Sequence, residues 1–148
     1  MTPDLISTAN TLINATPAQV WQALVDPAAI KQFMFGATVR SEWKKGSRIT
    51  WKGEWKGTQY EDKGEILDIQ PPHRLQYSHY SPLTGQEDKP ENYHTVTIDL
   101  LAKGDRTSVS LSQDNNRSEE SRQESDKNWA AMLQSLKKVV EDNIPPTI

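Results

Sequence analysis

Residues 118–142 have the sequence SEESRQESDKNWAAMLQSLKKVVED, in which apolar side chains recur at the spacing of one helix face. The recurring positions are Trp129, Met132, Leu133, Leu136 and Val140. A helix of about 25 residues is roughly 37 Å long, enough to cross a small domain. The residues ahead of it are predicted as strands, and a sheet with one apolar face needs a cover. We therefore expect the helix to lie over the sheet, with any site between them.

Residues 37–114 alternate between β-rich runs and turn signals, and they predict six antiparallel strands. Alternation assigns one set of side chains to the face under the helix: Ile49, Trp51, Leu75, Tyr77, His79, His94, Val96, Ile98, Leu100, Val109 and Leu111. Their polar neighbours should face water: Thr50, Lys52, Gln76, Ser78, Thr95, Thr97, Asp99, Ser108, Ser110 and Ser112. Ile66 and Ile69 fall on opposite parities of their strand, so the pattern predicts a bulge there. It does not decide which side chains of that strand face the helix.

The N-terminal forty residues predict a strand followed by two short helices. Residues 5–14 alternate weakly and indicate the strand, and Thr16–Gln19 is a capping box with Pro17 at the first helical position. Asp26 and Pro27 repeat the start signal. Each helix is too short to cover a sheet alone, so we expect the pair to brace one end of it.

Length and composition favour a single domain over residues 1–148 with a real core. The chain has no cysteine, which excludes thiolate chemistry and cysteine-bound metals, and nothing indicates a leader or a membrane-inserting segment. We expect a cytoplasmic protein. The net charge of −3 argues against general nucleic-acid binding. Basic residues do alternate with Trp43, Trp51 and Trp55, but a solvated strand face explains that cluster better than a nucleic-acid site.

Three stretches carry a family resemblance: INATPAQVWQAL at 13–24, GEILDIQPPHRLQY at 64–77, and Asn128–Trp129 in the last helix. With the order of elements, they resemble the helix-grip arrangement of the START and birch-pollen-allergen superfamily. Within it, the chain looks like the branch related to the activator of heat-shock protein 90 ATPase. The resemblance implies an α+β fold with about seven curved antiparallel strands wrapped around a long C-terminal helix. It implies several functions, namely hydrophobic-ligand binding, cyclase activity, lipid transfer and chaperone assistance.

Candidate ligand-binding residues are those with inward or helix-facing positions. They are Trp21, Phe33, Trp51, Tyr77, His79, His94, Trp129, Met132, Leu133 and Leu136. A packed core is the alternative for any one of them, but their bulk makes a cavity for a nonpolar, aromatic or lipid-like molecule the better interpretation of the set.

His79 and His94 form a sharper hypothesis, because pairing of their strands would bring them together at the mouth of the cavity. Such a pair can orient a polar head group, exchange protons, or bind a metal with a third ligand. The alternative is two partly exposed histidines beside a loop, and no carboxylate spacing completes a catalytic or metal set. We therefore predict no catalytic residue, metal or cofactor.

Three functions remain open. Noncatalytic binding of a small hydrophobic molecule is preferred, a cyclase or hydratase using His79, His94 or Tyr77 is second, and a chaperone cofactor in a stress response is third. The third expects an apolar patch on the outer face of the sheet, where the pattern places only Thr, Ser, Lys and Gln. The charged residues 119–127 also lack an apolar stripe, so we expect that half of the last helix to move and to gate the cavity.

Overall fold

The computed structural model describes residues 5–142, and in that range it contains one seven-stranded sheet and three α-helices. The strands are β1 (Ser7–Ile13), β2 (Thr38–Ser41), β3 (Arg48–Trp55), β4 (Thr58–Gln70), β5 (Arg74–His79), β6 (His94–Lys103) and β7 (Arg106–Gln113). The helices are α1 (Pro17–Leu24), α2 (Pro27–Phe33) and α3 (Glu119–Asp142), with short 3₁₀ turns at Pro82–Thr84 and Pro90–Asn92. This is the predicted α+β helix-grip arrangement, with six strands between α2 and α3.

The sheet is antiparallel throughout, in the order β1-β7-β6-β5-β4-β3-β2. Strands β2 to β7 follow one another as neighbours, whereas β1 adds to the far edge beside β7. We call the face that packs against the helices the inner face and the opposite one the outer face. None of the helices in 5–142 is long and apolar enough to cross a membrane.

Both short helices begin at the predicted caps. The Thr16 hydroxyl accepts the Gln19 N–H at 3.3 Å, and the Gln19 side chain accepts the Thr16 N–H at 2.9 Å, which is a complete capping box. The Asp26 carboxylate accepts the Ala28 N–H at 3.1 Å. The bends at these caps hold α1 and α2 at one end of the sheet, where Val20, Leu24 and other apolar side chains enter the core.

α3 crosses the inner face and buries Met132, Leu133, Leu136 and Val140 in the main core. It also covers the free edge of β1, whose outward backbone groups would otherwise be open to another strand. Asp126 accepts the Thr8 N–H at 2.9 Å, Glu141 accepts the Asn14 N–H at 3.0 Å, and Lys137 donates to the Leu12 carbonyl at 2.7 Å.

β4 carries the irregularity that the isoleucine pattern predicted. Its register with β5 shifts between Ile66 and Asp68, which lets Ile66 and Ile69 both pack against the core. Just ahead of the bulge, Gly64 allows β5 to approach closely, since a Cβ at that position would lie 1.7 Å from the Ser78 carbonyl oxygen. The close approach brings the end of β5 against β4.

The outer face differs from the alternation pattern at three positions. Thr50 was expected to face water but is buried, because it lies on the central strand of three, between Arg40 of β2 and Lys63 of β4. Leu12 and Leu101 are exposed on this face, each opposite Ser108 of β7, so the face is not wholly polar.

Candidate functional site

A cavity of about 250 Å³ lies between α3, the segment after α2, and the inner face of the sheet. Its wall is formed by Met34, Phe35, Ala37, Trp51, Tyr60, Asp62, Tyr77, His79, Gln113, Ser125, Asn128, Trp129 and Met132. Phe35 lies at the rim, with 69% of its surface exposed and a left-handed backbone (φ 56°), which is uncommon for an aromatic residue. The cavity therefore has mainly aromatic and aliphatic walls with a few polar groups among them.

The structure divides the ten predicted ligand-binding residues into three groups. Five line the cavity, namely Trp51, Tyr77, His79, Trp129 and Met132. Four do not reach it and are core residues instead: Trp21, Phe33, Leu133 and Leu136. Their helix positions face the core below the cavity, a difference that helix periodicity cannot resolve. His94 lines a neighbouring cleft that shares Gln113, Ser125 and Asn128 with the cavity.

Asp62 and His79 form the central polar pair of the cavity. His79 Nε2 lies 2.8 Å from Asp62 Oδ2, and both side chains are mostly buried. Because a carboxylate only accepts hydrogen bonds, Nε2 must carry the proton, which leaves Nδ1 as the acceptor in neutral His79. The Trp51 ring packs edge-on against the imidazole at 5.2 Å between centroids, and it fixes the orientation of the ring.

His94 lies directly opposite His79 in the register of β5 and β6, and the two rings stack at 6.3 Å between centroids. Its Nδ1 donates to the Asp114 carbonyl oxygen at 2.9 Å. Burial, reinforced by the neighbouring His79 and opposed by the Asp114 bond, lowers the pKa of His94. The predicted meeting of the two histidines thus occurs, but each is held by a different partner.

Two tyrosines add hydroxyl groups to the wall. Tyr77 is only 5% exposed, stacks at a tilt on Trp51 with 5.1 Å between centroids, and has a pKa raised by burial. Tyr60 lies two residues before Asp62 on the same face of β4, and burial, followed by the Asp62 charge, raises its pKa. Both phenols therefore stay protonated near neutral pH and can donate hydrogen bonds.

The Trp129 indole is held in place by a polar chain beneath α3. Its Nε1 donates to Gln113 Oε1 at 2.7 Å, Gln113 donates to Asn116 Oδ1 at 3.3 Å, and Asn116 donates to Ser7 Oγ at 2.8 Å. The first half of α3 is tied to the same region, because Ser125 also donates to Asn116 at 3.1 Å.

Sequence reasoning missed Asp62, Tyr60 and Gln113. Tyr60 and Asp62 are an even number of residues before Ile66, so an inward-facing Ile66 would have placed both on the inner face. In the same way, Gln113 continues the inward alternation of Val109 and Leu111 in β7. Among residues 5–142, no three or more potential metal-ligating side chains converge. The arrangement can enclose a small apolar molecule and exchange hydrogen bonds or a proton with one polar group on it.

Comparisons with known proteins agree with this architecture. A family model described as Activator of Hsp90 ATPase homolog 1-like protein matches residues 14–141. A solution structure of a protein from Cytophaga hutchinsonii is 54% identical, with a TM-score of 0.84 over 96% of this chain and 97% of that one. None of the curated proteins matches the chain.

More distant structures share the fold alone. CalU16 from Micromonospora echinospora is 22% identical, with a TM-score of 0.68 over 95% of this chain and 86% of that one. The Aha1 dimer from Colwellia psychrerythraea is 19% identical, with a TM-score of 0.71 over 92% of this chain and 96% of that one.

Proposed function

This chain belongs to the Activator of Hsp90 ATPase homolog 1-like family, and from that premise and the cavity we propose that it binds a compact, mainly apolar small molecule between α3 and the sheet. Concave sites with mainly apolar walls and a few polar groups are where proteins usually bind small molecules, and the space of about 250 Å³ bounded by Trp51, Tyr77 and Trp129 has this character. That cavity is the observation that carries the proposal.

The size and the walls indicate the class of ligand. Pockets for drug-sized ligands span about 300–1,000 Å³, so this smaller space suits a compact ring system better than a long acyl chain. Trp51 and Tyr77 both contribute aromatic rings to the cavity wall, which favours an aromatic ligand. We therefore place a flat aromatic molecule ahead of a lipid.

The test uses 4-nitroanisole as an apolar aromatic probe and follows backbone amide shifts by NMR. Asn128 is exposed at the cavity wall on α3, so Asn128→Phe would occlude the cavity without overpacking the core. Ala130→Phe introduces the same ring on an exposed part of the same helix outside the cavity wall. We expect shifts around Trp51 and Tyr77 and at least about tenfold weaker binding in Asn128→Phe only.

Equal binding by both variants, or shifts confined to the outer face, would contradict the proposal. Native mass spectrometry of freshly purified protein is the companion experiment, because a co-purified molecule would identify the ligand itself.

An enzyme of the cyclase or hydratase kind is the second candidate, and the buried Asp62–His79 pair is the observation in its favour. The His79→Ala variant distinguishes the enzyme from the simple binder. A turnover that His79→Ala abolishes while probe affinity is retained would establish the enzyme, whereas a simple binder shows no turnover to lose.

A chaperone-directed role in a cytoplasmic stress response has less support. Leu12 and Leu101 are the large exposed apolar side chains of the outer face within 5–142, and Ser108 separates them. Two scattered leucines are ordinary on a protein surface. Stimulation of heat-shock protein 90 ATPase by the protein, lost in Leu101→Glu, would reverse this ranking.

A further inference from the structure

One polar atom of the cavity wall is buried without a hydrogen-bond partner. Within residues 5–142, Asp62 Oδ1 is shielded from solvent and has no donor, while Asp62 Oδ2 lies 2.8 Å from His79 Nε2. Buried polar groups are normally satisfied, and one left unpaired is costly. Tyr77 lies two residues before His79 on the same face of β5 and lines the same cavity, so one ligand group could interact with these side chains.

The His79–Asp62 bond determines what such a group must offer. With Nε2–H donating to the carboxylate, Nδ1 of neutral His79 accepts, and protonation at Nδ1 produces an imidazolium whose charge Asp62 offsets. Protonation of His79 places a positive charge beside the Asp62 carboxylate. That charge stabilises the carboxylate, because Asp62 Oδ1 has no hydrogen-bond donor of its own. The pair is therefore built to take up one proton.

The neighbouring groups direct that proton to His79. His94 faces the same imidazole, but burial and His79 lower its pKa, and its Nδ1–H is already committed to Asp114. The Tyr77 and Tyr60 phenols have raised pKa values and remain donors. The nearby cation Lys63 lies on the opposite parity and pairs with Asp88 away from the cavity.

We propose that the cavity selects compact phenols or enols and binds them as oxyanions. The ligand O–H bond breaks, its proton moves to Nδ1 of His79, and the electron pair stays on the ligand oxygen. That oxygen then accepts from Nδ1–H of the imidazolium and from the Tyr77 hydroxyl, while Nε2–H still donates to Asp62. This inference rests on the proposed function, since it specifies the polar group of the molecule that the cavity holds.

The test compares 4-nitrophenol with 4-nitroanisole, which has nearly the same shape but no acidic proton. Bound 4-nitrophenol should show the visible absorption of its anion, with an ionisation constant about tenfold higher than in water. 4-Nitroanisole should bind with no change of charge. Bound 4-nitrophenol that stays neutral, with both probes binding equally well, overturns this inference and leaves the proposed function intact. Failure of both probes to bind counts against the proposed function itself.

Two variants separate proton uptake from simple occupancy. Asp62→Asn keeps the size of the side chain but removes the carboxylate, so the tenfold gain in ionisation of bound 4-nitrophenol should be lost. Tyr77→Phe removes one donor to the oxyanion and should lose part of the gain in ionisation of bound 4-nitrophenol.

Asp99→Asn is the matched control, because Asp99 pairs with Arg74 on the outer face of the sheet. It should leave the ionisation of bound 4-nitrophenol unchanged. Retention of the full gain in Asp62→Asn, in a variant whose thermal unfolding shows it to be folded, would show that the pair does not take up the proton.

Discussion

His79 and His94 are opposite each other in the sheet, yet their surroundings give them different chemistry. His79 donates to a carboxylate, whereas His94 donates to a backbone carbonyl and is held neutral by burial. Two adjacent imidazoles that both became charged would repel each other. The lowered pKa of His94 keeps that ring neutral near pH 7, which avoids the repulsion.

The lowered pKa of His94 makes stability depend on pH. Its folded pKa lies below the ordinary value of 6.5, so between those two values the unfolded chain binds a proton that the folded protein does not. The contribution of His94 to the free energy of unfolding is therefore fully present above about pH 6.5 and falls as the pH is lowered. His94→Gln should flatten this decline, measured by urea denaturation at about pH 7.5 and about pH 5.5.

His73→Gln provides the comparison, because His73 is exposed in the turn between β4 and β5. It should keep the pH dependence of the unaltered protein. If His94→Gln and His73→Gln lose stability in parallel on acidification, the burial of His94 has no part in the effect.

At the level of single residues, alternation predicted the inward faces of Trp51, Tyr77, His79 and His94 correctly. It did not place Asp62, because Ile66 and Ile69 fall on opposite parities on either side of the bulge, so the pattern left open which set of β4 side chains faces inward. Bulges depend on tertiary fit and have no residue signature as clear as a cap. The partner of His79, and with it the chemistry of the pair, was therefore hidden from the sequence pattern.

α3 is one element with two modes of attachment. Its second half is held by apolar burial at Met132, Leu133 and Leu136, as the helical stripe predicted. Its first half has no such stripe, but Asp126 accepts the Thr8 N–H and Arg122 pairs with Asp126 at 2.7 Å. The Asp126–Thr8 bond joins residues 118 positions apart and leaves no periodic signal, so sequence analysis predicts only that the first half is weakly attached.

Asp126→Ala should release the first half of α3 while leaving the second half in place. Loss of one hydrogen bond of about 1 kcal/mol predicts amide exchange about fivefold faster over 119–128, with 132–140 unchanged. Glu124→Ala removes an exposed carboxylate from the same half and should leave exchange as it was. Uniformly slow exchange along the whole helix in Asp126→Ala would argue against a first half that opens to admit a ligand.

On the scale of the whole molecule, the first strand packs between the last strand and the last helix. β1 pairs with β7, and α3 covers the free edge of β1 with Asp126, Lys137 and Glu141. The six later strands are nearest neighbours that turn signals predict well, whereas the position of β1 depends on contacts across more than one hundred residues. The family resemblance predicted about seven strands around the helix, but it left the position of β1 in the sheet open.

The cavity between α3 and the sheet is not filled by side chains, so a substitution that fills it should increase stability and decrease ligand binding. Ala37 is buried on the cavity wall, so Ala37→Leu should add apolar atoms to empty space and raise the free energy of unfolding by about 1 kcal/mol. The same variant should lose binding of 4-nitroanisole. Ala15→Leu makes the identical change at a buried position outside the cavity wall, where overpacking should cost about 1–3 kcal/mol. Thermal unfolding and probe titration of both variants measure the two effects. If Ala37→Leu is as destabilising as Ala15→Leu, the cavity is not available to added atoms and is no site for a ligand.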